Sequence, residues 1–455
     1  MRRNTVSRPA ENKMGVMPEN KLLLNMAVPM MLSMLVQALY NVVDSIFVSK
    51  LSQDALNAVS LAFPVQNLMI AVGAGTAVGI NALLSRSLGQ KDQERADKTA
   101  MNGILLALLS AVVFTVVGLF GARLFFSIQT DIQGIVDYGT DYLMVICGVC
   151  IGIFMQVTFE RLLQSTGRTF YSMITQGTGA ILNIILDPIF IFTFDMGIAG
   201  AAVATVVGQF CAAGLGIFFN LKFNPDVRLS FKNLIPKKEV IRPILTVGIP
   251  SVIMVAIGSV MNLLMTSILN TFQAVKVAAV GVFGTYFKLQ SFFFMPLFGL
   301  NNATISIVAF NFGARKKERI TKTLKLAVLT AMGFMLAGLA AFMAIPDVLL
   351  GLFEPSEDFL AIGITALRII ALHYPLAAIG ISLGASFQAL GNGIYSTVVS
   401  LVRQMFALIP AAWLLSLAGR VDLVWWSFPI AEVVSAAISI FFYWRIYKQK
   451  IKPLA

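Results

Sequence analysis

The stretch NMAVPMMLSMLVQALYNVVDSIFVS (25–49) is apolar over most of its length, yet it contains one aspartate, Asp44. A second such stretch, TQGTGAILNIILDPIFIFTF (175–194), contains Asp187. Each stretch is long enough to cross a bilayer as a helix, which takes about 20 residues. Because a carboxylate in hydrocarbon is costly, each aspartate is predicted to face the protein interior and to have a partner or a task.

The composition extends this interpretation to the whole chain, which is 58% hydrophobic and 12% charged. Soluble domains are about 25% charged. The pattern predicts an all-α polytopic membrane protein with twelve transmembrane helices. Pro29, Pro250 and Pro296 are the predicted kink points within these helices. The predicted spans are 22–49, 57–83, 100–126, 138–160, 171–194, 197–221, 242–270, 278–311, 322–346, 360–386, 393–417 and 423–447.

The distribution of Lys and Arg predicts the orientation. If residues 1–21 lie inside, the inner segments hold 27 of the 34 basic residues, and the outer loops hold only Lys50, Arg123, Lys276 and Arg420. This asymmetry indicates a multi-pass membrane protein with both termini in the cytoplasm. It also accounts for the net charge of +12, so nucleic-acid binding is not expected.

The two halves of the chain resemble each other. SLGQKDQERADKTA (87–100) matches NFGARKKERITKTL (311–324) at an offset of 224, and Pro29 matches Pro250 at an offset of 221. A nearly constant offset predicts two pseudo-symmetric six-helix bundles, an arrangement typical of alternating-access carriers. The predicted domains are a cytoplasmic segment (1–21), an N-lobe (22–221), a cytoplasmic linker (222–241), a C-lobe (242–447) and a cytoplasmic tail (448–455).

Several polar residues are predicted to lie at one depth in the N-lobe. Counting from the span ends at ~1.5 Å per residue, Asp44, Asp187 and Thr205 each lie ~8–12 Å below the outer boundary. Asn183 is one helical turn from Asp187, and Tyr40 is one turn from Asp44. Such oxygen-rich groups suit a hard cation or a proton shared between carboxylates, whereas two separate, internally hydrogen-bonded aspartates are the alternative. The matching C-lobe positions are Met265 and Ala411, so this site is expected in the N-lobe alone.

Other charges in the spans allow two interpretations. Lys288, Arg403 and Glu432 form either a neutralised structural network or a substrate-facing patch, and Lys288 and Glu432 are at depths that allow a pair. Glu160, beside Arg161 at the inner end of span four, is either a solvated end residue or an inward extension of the Asp187 network.

The sequence offers little for catalysis. Cys147 and Cys150 form a CxxC within an apolar run, which favours lipid- or core-facing thiols over a metal or redox site. His373, the single histidine, is expected to be a satisfied interior residue. An enzyme needs a convergent nucleophile–base pair or metal set, so no enzymatic activity and no cofactor are expected.

The chain resembles the multidrug and toxic compound extrusion (MATE) family over nearly its whole length. The most specific stretch is LLQSTGRTFYSMITQGTGAILNIILDPIFIF, followed by GIAGAAVATVVGQ. In prokaryotic members an N-lobe cavity uses an aspartate in span one, Asn-x-x-x-Asp in span five and a threonine in span six. The resemblance thus implies a cation or proton site at Asp44, Asn183, Asp187 and Thr205, supported by Tyr40, Pro29 and Glu160. Glu160 departs from the pattern, because the family more often has Asn or Arg there.

The resemblance implies the function of a secondary active antiporter in a bacterial-type plasma (inner) membrane, which exports amphiphilic, often cationic, small molecules in exchange for H⁺ or Na⁺ by alternating access. Its expected partners are these small molecules and the lipid bilayer, and it is expected to be a monomer. The alternative is a lipid-linked oligosaccharide flippase or another two-lobe carrier. A flippase would favour a strongly cationic central cavity, whereas acids dominate the N-lobe here.

Overall fold

The structure is a computed structural model that describes residues 11–49, 51–353 and 356–454. Within these ranges all regular structure is helical, with no strand. The helices of the first half are α1 (Lys13–Val16), α2 (Glu19–Ser49), α3 (Gln53–Gly89), α4 (Gln93–Gln129), α5 (Gln133–Gly148), α6 (Ile151–Ser165), α7 (Thr169–Pro188) and α8 (Gly197–Phe223). Those of the second half are α9 (Lys238–Leu269), α10 (Lys276–Gly313), α11 (Lys317–Ala344), α12 (Pro346–Gly351), α13 (Glu357–Ala371), α14 (Tyr374–Ala389), α15 (Gly393–Leu401), α16 (Ile409–Ser416), α17 (Val421–Val424) and α18 (Ser427–Ile446).

Twelve spans result when bent helix pairs are counted as one span each. Ten helices or continuous helical runs are long and apolar enough to cross a membrane, and the pairs α5–α6 and α13–α14 supply two more. The predicted fold class, an all-helical bundle of twelve spans, is confirmed. Pro29, Pro250 and Pro296 all lie inside continuous helices, in α2, α9 and α10.

Spans four and ten are broken where the sequence suggested continuous helices. The pair α5–α6 bends by 43° and the pair α13–α14 by 48°. At the first break, the Thr115 hydroxyl of α4 donates to the Gly148 carbonyl over 3.3 Å and so replaces a lost helical bond. At the second break, Pro375 has no N–H to donate to the carbonyl of Ala371, and α13 ends at this residue. The Thr115 hydroxyl thus stabilises the first bend, and the missing N–H of Pro375 accounts for the second.

The backbone preserves the internal repeat. Four residues of the first half have a left-handed conformation: Lys91 (φ 61°), Gly167 (φ 83°), Asp195 (φ 53°) and Gly197 (φ 56°). The first three have counterparts 224 positions later, which are Arg315 (φ 56°), Gly391 (φ 76°) and Gly419 (φ 70°). Because this conformation is uncommon for residues other than glycine, its recurrence at one offset shows that the turns between spans are duplicated.

The two lobes contact each other from mid-membrane to one end of the bundle. We call this end, which contains residues 11–17, the α3–α4 turn and Lys450, the basic end. Near the middle, Asn67 Nδ2 of α3 donates to Ser259 Oγ of α9 over 2.9 Å. Closer to the basic end, Ser306 Oγ of α10 donates to Asn81 Oδ1 of α3 over 2.9 Å.

Two glycines allow the closest approach at the basic end. A Cβ on Gly89 would lie 1.9 Å from the Phe310 carbonyl oxygen, and a Cβ on Gly313 would lie 2.1 Å from the Arg86 carbonyl oxygen. Neither position has room for any side chain. The last turns of α3 and α10 therefore pack backbone to backbone, one from each lobe.

The N-terminal strap, residues 11–17, crosses this junction. On the N-lobe side, Asn12 Nδ2 donates to the Thr166 carbonyl over 3.0 Å and Lys13 donates to Asn25 Oδ1. On the C-lobe side, Asn311, Lys316 and Arg319 donate to carbonyls of the strap. The Met14 side chain of the strap is fully buried. The strap therefore binds both lobes at once.

Candidate functional site

Asp44 of α2 and Asp187 of α7 lie side by side in the N-lobe. Their carboxyl groups are close enough for their charges to act on each other, and Asp187 is fully buried. Two carboxylates placed this close repel each other unless a proton or another cation lies between them. The structure therefore brings together the two aspartates that the sequence singled out.

Three further polar residues complete the cluster. In the orientation that satisfies both ends of its amide, Asn183 donates from nitrogen to Asp187 Oδ2 and accepts from Thr205 Oγ1, each over 3.0 Å. Thr205, on α8, also lies beside Tyr40, one turn before Asp44. Three spans thus contribute to one connected network.

One oxygen of the network remains free. Asp44 Oδ1 is buried and has no hydrogen-bond partner. A buried acceptor without a partner is costly, and a proton or a small hard cation would satisfy it. The neighbouring ligands available to a cation are carboxylate, amide and hydroxyl oxygens, which suit Na⁺ and do not suit a transition metal. Among the described residues, no three His, Cys, Asp or Glu side chains cluster as a metal site would require.

Sequence reasoning missed two residues beside the cluster. The hydroxyl of Tyr142, on α5, donates to Gln66 Oε1 of α3 over 3.3 Å, and the electrostatic influence of Asp44 and Asp187 reaches this hydroxyl. Both residues are uncharged, so neither stands out in an apolar segment as an aspartate does. Their predicted depth in spans two and four, opposite Asp44, is the signal that would have found them.

Pro29 lies away from the acids, about 22 Å along α2 from Asp44. Because proline has no N–H, the Asn25 carbonyl receives no helical bond from it, and the Thr169 hydroxyl of α7 lies 3.4 Å from that carbonyl instead. A cavity of about 610 Å³ adjoins Pro29 at the basic end and also contacts Lys13 and Arg168. Burial and the nearby Arg168 lower the pKa of Lys13.

Glu160 is not the solvated end residue that was one of two interpretations. It is 6% exposed and accepts a hydrogen bond from Gln156 over 3.0 Å, while the adjacent Arg161 donates to Gln164. Helices α7 and α8 pack against α6 and cover this end of span four. The side chain that donates to Glu160 is thus Gln156, one turn earlier on its own helix.

The charged side chains of the C-lobe do not form the pair of Lys288 with Glu432 that their depths allowed. Glu432 of α18 accepts from Arg403 over 3.4 Å, whereas Lys288 lies 5.9 Å from the ring of Phe353. The suggested pair of Lys288 with Glu432 is therefore wrong. Depth along a helix is one coordinate only, and the rotation of each helix decides which side chains meet.

His373 and the cysteines have structural surroundings. His373, at the break of span ten, contacts the Ile370 carbonyl through Nδ1 over 2.7 Å and stacks on Phe428. Cys147 and Cys150 are buried free thiols at the break of span four, where Cys150 contacts the Ala111 carbonyl. Packing accounts for all three.

Comparison with known proteins gives a consistent result. The sequence model of the MatE family matches residues 29–189 and 250–414, one segment in each lobe. The chain is 26% identical to the multidrug export protein MepA of Staphylococcus haemolyticus (strain JCSC1435) over 426 residues, which cover 92% of each protein.

Two solved structures share the fold. One is the outward-facing conformation of a multidrug resistance MATE family transporter of the MOP superfamily, with a TM-score of 0.92 and 26% identity over 98% of this chain and 99% of that one. The other is a MOP superfamily transporter from Pyrococcus furiosus Vc1 (DSM3638), with a TM-score of 0.91, 26% identity and the same coverage. The description of the second states that the reverse polarity of its binding pocket suggests a different function.

Proposed function

The chain belongs to the MatE family, and from this membership we propose that it is a secondary active multidrug efflux antiporter. It exports amphiphilic, often cationic, organic compounds in exchange for H⁺ or Na⁺. The relatives named as multidrug exporters support the efflux function. The observation that carries the ion coupling is that Asp44 and Asp187, contributed by two different spans, lie next to each other and leave one buried oxygen without a partner.

In this proposal the protein lies in the plasma membrane of a bacterium. The basic end and both termini face the cytoplasm. The concentration of Lys and Arg in the segments at that end supports this orientation. The protein works as a monomer, since each chain supplies both lobes of a carrier, and it needs no cofactor.

Ion binding and drug release are coupled through the lobe arrangement. Contacts at the basic end hold the lobes together there, which leaves the acid cluster to be reached from the opposite side. A proton or Na⁺ that enters from outside binds between Asp44 and Asp187 and neutralises the pair. In the proposed cycle the ion binds more tightly to the opposite arrangement of the lobes and so shifts the equilibrium toward it. The strap and the α3–α10 contact then separate, and the site opens to the cytoplasm.

Vesicles loaded with a fluorescent cationic dye test this function. The purified full-length protein is reconstituted, and a pH gradient and a Na⁺ gradient are imposed separately. We expect one of the two gradients to drive dye movement at least tenfold faster than in protein-free vesicles, and the matching ionophore to abolish it. Dye movement that neither gradient accelerates would contradict the antiport proposal.

A further inference from the structure

The segment between the lobes, Asn224–Lys237, is fixed against the N-lobe along its whole length. Arg168 forms an ion pair with Asp226 over 2.9 Å, and Asp97 Oδ1 accepts from the Arg228 N–H over 2.8 Å. Asn102 then accepts from the Lys237 N–H over 2.9 Å and donates to the Asn233 carbonyl over 3.3 Å. The segment therefore has a defined position relative to α4.

Helix α4 shows at which depth the segment lies. Residues 93–98 of this helix include four charged side chains, and residues 99–122 include none. Those 24 residues extend about 36 Å, slightly more than the ~30 Å hydrocarbon core. Asn102 is near the start of this uncharged run, so the backbone it binds lies at the boundary between headgroups and acyl chains.

The apolar side chains of the segment point in two directions. Val227, Leu229 and Leu234 pack into the N-lobe core. Phe231 and Ile235, in contrast, are 88% and 60% exposed. Phe231 and Ile235 bury little apolar surface within the protein, although the segment that carries them is fixed. Their partner therefore lies outside the protein.

The exposed charges around Phe231 are mainly basic. Arg228, Lys232, Lys237 and Lys238 are all exposed. Of the nearby acids, Asp226 is paired with Arg168, and Asp97 is buried and accepts from the Arg228 N–H, which leaves Glu239 exposed. An aromatic and an aliphatic side chain among unpaired cations, at the depth of the headgroups, matches an anionic lipid surface. A soluble anion would account for the cations and leave Phe231 and Ile235 unexplained.

We propose that this surface, the linker face (Arg228, Phe231, Lys232, Ile235, Lys237 and Lys238), binds anionic phospholipids of the adjoining leaflet. Phe231 and Ile235 insert between acyl chains, and the cations contact lipid phosphates. Because α9 begins at Lys238, the same contact fixes the membrane depth at which the C-lobe begins. The inference does not depend on which ion or substrate the protein carries.

The test uses Phe231→Trp as a probe in the full-length protein. Vesicles contain either brominated phosphatidylglycerol or brominated phosphatidylcholine at equal mole fraction, and the fluorescence of the parent protein is subtracted. We expect quenching at position 231 to be at least twofold stronger with phosphatidylglycerol. Each Lys near an anionic membrane surface adds about a fivefold preference for anionic lipid. The substitutions K232Q/K237Q/K238Q in the Phe231→Trp background should therefore remove the difference in quenching between the two lipids.

Matched controls separate the linker face from general charge. The variant K91Q/R315Q/K325Q removes three exposed basic residues elsewhere at the basic end and should keep the preference. Equal quenching by the two lipids would overturn the proposal. So would a preference for phosphatidylglycerol that persists in K232Q/K237Q/K238Q. So would a fluorescence change of the same size on adding inorganic phosphate to the Phe231→Trp protein in detergent, which would identify a soluble anion as the ligand.

Discussion

At the scale of single residues, the electrostatics of Asp44 and Asp187 favour a bound cation, as the proposed antiport requires. Two unit charges 4 Å apart repel by about 4 kcal/mol at an effective dielectric constant of 20. Burial adds the cost of removing each carboxylate from water. A shared proton removes one charge, and a bound Na⁺ compensates one, so either ion stabilises the pair. This requirement gives the cluster its chemical role.

We therefore expect Asp44→Asn and Asp187→Asn each to reduce gradient-driven export by at least tenfold. The amide keeps the shape of the side chain but cannot bind or release the coupling ion. Export is measured in energised vesicles, with thermal unfolding as a check that each variant remains folded. Asp131→Asn, an exposed carboxyl in the loop before α5, is the matched control and should export normally. Normal export by both test variants would exclude this site.

The candidate site could be predicted from the sequence where a residue carries charge. An aspartate among apolar neighbours is visible without a structure, and its depth follows from helix rise, so Asp44 and Asp187 were placed together. Tyr142 and Gln66 were missed, because uncharged polar residues are common in such segments. The partner of Glu432 was also missed, because choosing between Arg403 and Lys288 requires the rotation of each helix.

At the scale of elements, the strap is held by an arginine of the C-lobe. Arg319 of α11 donates to the carbonyls of Met14 and Met17, over 3.2 and 2.6 Å, and pairs with Glu19 over 3.5 Å. Its guanidinium satisfies backbone groups that a helix of only four residues cannot satisfy internally. One C-lobe side chain therefore stabilises the strap and the start of span one together.

Arg319→Gln is expected to weaken the closed arrangement at the basic end. The lost charged hydrogen bonds are worth roughly 2 kcal/mol after allowing for partial exposure, about a 30-fold change in the ratio of closed to open forms. Spin labels at positions 91 and 315, in a background without native cysteines, report the distance between the lobes. The variant should gain a longer-distance population, and Lys325→Gln should not. Identical distance distributions in the variant and the parent would show that the strap does not hold the lobes.

Helix-scale features were predicted unevenly. Twelve apolar spans and an internal repeat are properties of composition and order along the chain, so both were confirmed. The bends in spans four and ten were not predicted, because the apolar runs continue through them. The first depends on the Thr115 hydroxyl of another helix, a contact that only the folded arrangement shows.

At the scale of the whole molecule, the α3–α10 crossing determines how closely the lobes approach. Gly89 and Gly313 each face a carbonyl oxygen of the other lobe, at positions 224 residues apart. The approach is symmetric, so both lobes contribute one glycine and one carbonyl. Any side chain at either position has to displace backbone, which is more costly than moving a flexible side chain.

Gly313→Leu is therefore expected to keep the lobes apart at the basic end and to reduce export at least tenfold. The same pair of spin labels should report mainly the longer distance. Gly333→Leu is the matched control, because a Cβ at Gly333 on α11 has no atom within 4 Å. A parent-like distance and normal export in Gly313→Leu would show that the close crossing is not needed for transport.

The three left-handed turns that recur 224 residues apart have a consequence for how such a chain diverges. The turn geometry is inherited in duplicate, whereas the paired aspartates are present once, since Met265 and Ala411 replace them in the second copy. In the proposed antiporter, the turns and the ion-binding acids are thus encoded by separate parts of the chain. We expect substitutions inside the second copy to change which compounds are exported while ion binding at Asp44 and Asp187 is retained.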